Sequence, residues 1–174
     1  VNATWKFSVH LAFVPSASNV VRMYVMADTS RLTQPLCGYY VQVGGANKTV
    51  SLYRQDGAKG QLLLTAPADM LRQAPVTVHV QVQRSASMHW SLQYAMDGGV
   101  WVETDSVADA RYTQNKAWGM WCKYTKTRNQ AFSFSNLFAA GDTCAIPVYK
   151  PIDNLFINEI LYNPFPNGVD FVEL

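Results

Sequence analysis

The sequence is short of charge. Only 15% of its 174 residues are Asp, Glu, Lys or Arg, and their balance is +2. No basic run stands out, so the chain lacks the electrostatic footprint that a phosphate-rich nucleic acid or an anionic membrane surface selects. Acids are scarcest where chemistry would need them, with Glu103, Glu159 and Glu173 the only glutamates. Glycoside cleavage by paired carboxylates requires two acids facing one another across a cleft, and the sequence offers no such pair. Asp28, Asp56, Asp97 and Asp109 fall at turns, where a side chain bonded to nearby backbone is the ordinary role. Three cysteines, Cys37, Cys122 and Cys144, lack the close pairing of a structural zinc site. His10, His79 and His89 show no metal-binding spacing, and the G-x-S-x-G elbow of a serine nucleophile is missing. No apolar run approaches the roughly 18 residues of a membrane span, and no secretion signal opens the chain. These absences point away from an enzyme.

What is present is alternation. Hydrophobic residues make up 49% of the chain and aromatics 13%, enough for a substantial core. Val76, Val78, Val80 and Val82 alternate with Thr77, His79, Gln81 and Gln83, the period of a half-buried strand. Trp5, Phe7, Val9, Leu11 and Phe13 share one face of an earlier strand, and Val21, Met23 and Val25 alternate with Arg22, Tyr24 and Met26. Further strands carry Tyr39, Val41 and Val43, then Val50 and Leu52, then Trp90, Leu92 and Tyr94. Val100 to Glu103 pairs back before a polar loop, Trp118 to Tyr124 forms another strand, and Phe132 and Phe134 the last. Gly44-Gly45, Asp56-Gly57 and Asp97-Gly98-Gly99 are reversals. One weakly helical segment, 68–73, interrupts the series. Cys37 and Cys122 alternate in phase with apolar neighbours and read as small buried hydrophobes. About ten short strands without intervening helices predict two packed antiparallel sheets.

Composition changes after Gly141. Residues 142–154, punctuated by Pro147, Pro151 and Asp153-Asn154, read as a linker of ordinary length. Residues 155–174 read as the first two strands of a second, incomplete unit. Both ends of the chain lie within or next to strands, so a preceding strand and a C-terminal continuation are expected.

Two resemblances sharpen this reading. Gly38-Tyr39-Tyr40-Val41-Gln42-Val43-Gly44-Gly45, then Val50 to Gly57, then Asp97-Gly98-Gly99 and Phe132 to Leu137, follow an order similar to concanavalin A-like (laminin G-like) jelly rolls of secreted bacterial proteins. This covers most of residues 1–140. Ile157-Asn158-Glu159-Ile160-Leu161-Tyr162-Asn163-Pro164, Gly168 and Asp170 to Leu174 resemble the opening of the lamin-tail domain, an immunoglobulin-like β-sandwich. The resemblances imply an all-β chain from a secreted, periplasmic or cell-surface bacterial protein that works beside further domains of its parent. Neither implies a reaction, because function resides in sites grafted onto folds.

The chemistry best matched by the strand residues is glycan binding. Sugar rings lay apolar C–H faces on aromatic planes while their hydroxyls bond amides, imidazoles and guanidinium groups. Arg22, Tyr24, Tyr40, Gln42, His79, Gln81, Trp121 and Lys123 fall on the phase opposite the aliphatic core, and they form one surface if their strands share a sheet. The alternative is a structural or adhesive spacer without a small ligand. A polysaccharide-cleaving enzyme is a third reading, with Glu103 its one available acid. No cofactor is expected, with calcium left open through Asp97, Asp105 and Asp109, since loop carboxylates and carbonyls suit that hard cation.

Overall fold

A computed structural model of the chain describes residues 2–141, together with the backbone of Glu159–Leu161 and Phe171–Glu173. The first unit, Val1–Asp142, contains ten strands: β1 (Ala3–Leu11), β2 (Val20–Ala27), β3 (Leu36–Gly44), β4 (Thr49–Gly57), β5 (Lys59–Thr65), β6 (Val76–Arg84), β7 (His89–Met96), β8 (Val102–Ala108), β9 (Ala117–Lys123) and β10 (Phe132–Gly141). They form two five-stranded antiparallel sheets, ordered β10-β1-β6-β7-β8 and β5-β4-β3-β2-β9. The architecture is an all-β two-sheet sandwich, compatible with a jelly roll. The second unit, Thr143–Leu174, includes β11 (Glu159–Leu161) paired antiparallel with β12 (Phe171–Glu173). The rest of that unit, the expected linker at 142–154 and Cys144 lie outside the described residues.

Alternation decides what is buried. The four valines of β6 and Trp5, Phe7, Val9 and Leu11 of β1 all face inward with Val21, Met23, Tyr39, Val41, Val43, Val50 and Leu52 of the opposite sheet. Each fully buried side chain of this size contributes about 1.5–3 kcal/mol. Rings thicken the core at one end, where Trp90 stacks near Trp5 at 5.9 Å between centroids and meets Tyr39 at 4.3 Å. Gly44 and Gly45, both at positive φ, turn β3 into β4, a conformation that other residues enter at a penalty.

Three local expectations are corrected. Residues 68–71 make a turn with Asp69 at positive φ, and no helix forms over 68–73. Strand β8 runs to Ala108, so the polar loop begins six residues later than Glu103. A bulge between Tyr24 and Met26 shifts the register of β2 against β3, and Met26 turns inward beside Val25. Cys37 and Cys122 are free thiols, each half-buried. Cys122 packs against the core, and burial raises its thiol pKa.

The chain passes from one sheet to the other between β8 and β9, and Asp109 fastens this crossing. Its carboxylate accepts the Tyr39 hydroxyl at 2.6 Å, Arg54 Nη1 at 2.5 Å and the Arg111 backbone N–H at 3.1 Å. Its backbone carbonyl accepts the Trp90 indole N–H at 3.0 Å. Arg54 also donates to Asp56, and Asp56 accepts the Tyr112 hydroxyl at 2.6 Å. Desolvation pushes the Asp109 carboxyl upward, but the Tyr39, Arg111 and Arg54 donors outweigh it and the net shift is down. Asp56 is lowered chiefly by its Tyr112 hydrogen bond. Tyr39 is raised by burial and by donating to Asp109, and Tyr112 is pushed up to about 12 by donating to Asp56.

Candidate functional site

The eight residues expected on one surface divide between two. Arg22, Tyr24, Tyr40, Gln42, Trp121 and Lys123 belong to β2, β3 and β9 of one sheet, whereas His79 and Gln81 belong to β6 of the other. Strand phase correctly turns all eight away from the main core. It does not say whether that outer face is covered.

On the β2/β3/β9 face it is covered in part. Tyr24 and Tyr40 are 1% and 3% exposed and form a small second core with Ala27 and Leu36, against which Leu32, Tyr53 and Trp121 pack. Tyr53 stacks on Tyr40 at 5.1 Å, and the Tyr24 hydroxyl donates to Gln55 at 2.8 Å. The Arg22 guanidinium lies over both Tyr40, at 4.7 Å, and Trp121, at 5.1 Å, while its Nε donates to Gln42. Lys123 reaches the Ala17 carbonyl at 3.3 Å. The faces of Tyr40 are occupied by protein groups, so Tyr24 and Tyr40 are withdrawn as sugar platforms; Trp121 is half-buried and lines a smaller pocket of about 230 Å³ with Arg22. Leu32 sits in a connection whose sequence gives no period, which is why its cover is invisible to pattern reading.

The other outer face carries polar side chains in rows. Across the strands, Ser135, Ser8, His79 and Ala95 are in register, followed by Phe138, Lys6, Gln81, Gln93 and Glu103. Walls rise on two sides. Trp101 lies beyond the Asp97-Gly98-Gly99 reversal and precedes Val102, the partner of Tyr94; it therefore shares the face of Ala95 and His79. On the far side β10 bulges, the four residues Ser135 to Phe138 opposing the three from Lys6 to Ser8 of β1, with Asn136 at positive φ. The result is a groove of about 380 Å³ lined by Lys6, Ser8, His79, Trp101, Asn136 and Phe138, with Phe7, Val80 and Leu137 completing it. Trp101 and Phe138 are each 48% exposed, so a ligand can reach both aromatic walls, with Lys6 Nζ over one face of Phe138. Bulges and left-handed non-glycine residues often aim side chains at sites of function.

The polar floor is organised. Asn136 Nδ2 donates to Ser8 Oγ at 3.0 Å, and Ser8 Oγ lies 2.7 Å from His79 Nδ1. Ser8 is 2% exposed, and His79 Nδ1 is the one acceptor within reach of its hydroxyl proton among the described residues. A buried hydroxyl left without an acceptor is unfavourable. With Ser8 donating to Nδ1, the N–H of the imidazole is left on Nε2. Lys6 Nζ lies 5.8 Å from the Phe138 ring centre. Gln81 donates to Gln93 at 3.0 Å beside the groove.

Two of the three carboxylates considered for calcium, Asp97 and Asp109, are employed separately. Asp97 accepts the Thr77 backbone N–H at 2.8 Å, and Asp109 holds the crossing. No cluster of three or more His, Cys, Asp or Glu side chains suited to a metal occurs among the described residues. Glu103 stands exposed on β8. Sequence reading passed over Trp101, Phe138 and Asn136; the available signals were a tryptophan just after a Gly-Gly reversal and an Asn within an apolar strand. No family model matches the chain, and no curated protein matches it.

Proposed function

We propose that this chain carries a non-catalytic carbohydrate-binding module, and that its binding surface is the groove between Trp101 and Phe138. The observation that carries the proposal is the pairing of two half-exposed rings with a floor of pre-bonded polar groups. Apolar ring faces favour the C–H faces of a pyranose, and convergent polar groups favour its hydroxyls. A fixed floor also reduces the ordering entropy that binding must overcome. The sequence likenesses to concanavalin A-like and lamin-tail domains support an extracytoplasmic setting in a multidomain bacterial protein, and they enter here as part of the proposal.

The test is a glycan array run on the wild type, Trp101→Ala, Phe138→Ala and Trp121→Ala. Binding that falls at least about tenfold on loss of either groove ring, and persists in Trp121→Ala, supports the reading; stacking contacts of this kind are each worth about 0.5–1.5 kcal/mol beyond area burial. Wild-type protein that binds no glycan favours a spacer role. Polysaccharide cleavage that disappears in Glu103→Gln establishes an enzyme instead.

A further inference from the structure

We infer that the groove takes an acidic saccharide, one bearing a ring carboxylate, and that His79 is held as a fixed hydrogen-bond donor toward it. The inference rests on the carbohydrate reading and narrows it to a ligand class. Lys6, Ser8, His79 and Asn136 supply the polar lining, with no Asp or Glu among the lining residues. Lys6 brings three N–H donors and a positive charge, and His79 presents Nε2–H because Ser8 occupies Nδ1. Asn136 Nδ2 is a donor already, and it is what commits the Ser8 hydroxyl to His79. The free capacity of the floor is thus dominated by donors, one of them charged, and its natural complement is an acceptor-rich anion.

The geometry locates the anion. Ser8 and His79 are directly opposed across β1 and β6, with Lys6 two residues from Ser8 on the same face and opposite Gln81. Lys6 and His79 are therefore diagonal cross-strand neighbours, a relation of about 7–8 Å between backbones. Both side chains line the same groove, with Lys6 Nζ over the Phe138 ring, so an anion bound there meets both donors while its sugar ring lies against Trp101. The nearest acid in these rows, Glu103, is three strands away from Lys6, roughly 14 Å at the usual strand spacing, so it leaves the Lys6 charge uncompensated. Ser8 and Asn136 are positioning residues in this scheme. They act by fixing the imidazole.

Two measurements test it. The first needs no ligand: nitrogen-15 NMR of the His79 imidazole should show Nε2 protonated and Nδ1 bare, and Ser8→Ala should return the ring to a tautomer mixture. A wild-type ring protonated on Nδ1 overturns the proposed donor. The second compares oligogalacturonate with its methyl ester, a neutral cello-oligosaccharide and dextran sulfate by titration calorimetry. Oligogalacturonate should bind at least about tenfold tighter than its ester, with Lys6→Met removing that preference and Ser8→Ala weakening binding about tenfold. Binding of the ester or the neutral sugar at equal strength overturns the acidic-ligand inference but leaves the carbohydrate reading standing. Dextran sulfate binding as tightly as oligogalacturonate would assign the effect to charge alone and also overturn it. Failure of every saccharide overturns both.

Discussion

Removing the Asp109 carboxylate should loosen the crossing between the two sheets by a calculable amount. Asp109→Ala leaves the backbone carbonyl that receives Trp90 Nε1 in place, so the substitution isolates the side chain. The Tyr39 hydroxyl, on a residue with 0% exposure, loses the acceptor for its proton, an unsatisfied buried donor that costs about 1–3 kcal/mol. Arg54 loses a charge-assisted bond otherwise worth about 1.5–3 kcal/mol. That second loss is reduced because Arg54 is one-fifth exposed and keeps Asp56 and Gln61 as partners. Together the expected destabilisation is about 3–4 kcal/mol. At a urea slope near 2 kcal/mol/M for a domain of this size, the unfolding midpoint should fall by about 1.5–2 M. The control is Tyr39→Phe in the Asp109→Ala background, which removes the orphaned hydroxyl and should recover about 1 kcal/mol; the double-mutant cycle reads this coupling directly. A single-variant loss under about 1 kcal/mol, or strictly additive effects, refutes the reasoning.

Other consequences are more compact. Asp56 and Asp109 have depressed folded-state pKa values, so the stability they confer should be complete above about pH 4 and fade as pH falls through the folded values, measured by thermal unfolding in acid. Tyr39 and Tyr112 are shifted the other way; their contribution should hold below about pH 10 and decline above it. Arg84 is buried with its Nη1 against Met26 sulfur at 3.2 Å, its guanidinium 5.7 Å from the Trp90 ring centre and its Nε without a partner. Arg84→Met should therefore leave stability within about 1 kcal/mol or raise it, since an unpaired buried charge is unfavourable; a loss above about 2 kcal/mol in urea unfolding contradicts this. Gly38→Ala should destabilise by about 1–3 kcal/mol on the same assay, because a Cβ there overlaps the Met26 carbonyl and the backbone must shift.

The sandwich was legible because its strands are amphipathic in the plainest way. Every inward residue named for β1 and β6 is buried, since a period of two leaves no choice of face once one face must leave water. Two features escaped that rule. Bulges break the period: the one at Tyr24/Met26 sends Met26 inward, and the one at Asn136 aims a polar side chain at Ser8. Loops also decide which outer face stays open, and here Leu32 helps cover Tyr24 and Tyr40 while the 97–101 reversal leaves Trp101 half-exposed. Phase puts His79 and Gln81 on the outer face of the sheet that holds β6. His79 lines the groove, whereas Arg22, Tyr24, Tyr40, Gln42, Trp121 and Lys123 belong to the other sheet, where Tyr24 and Tyr40 are packed into a small second core.

The most direct test of the groove is a nitrogen-15 NMR titration with the tightest saccharide from the panel, following the two indole N–H resonances of Trp101 and Trp121 in one sample. The account predicts saturable shifts at Trp101 and the His79 imidazole, with Trp121 unmoved. Shifts confined to Trp121, or no shift at either indole with any saccharide, would contradict it.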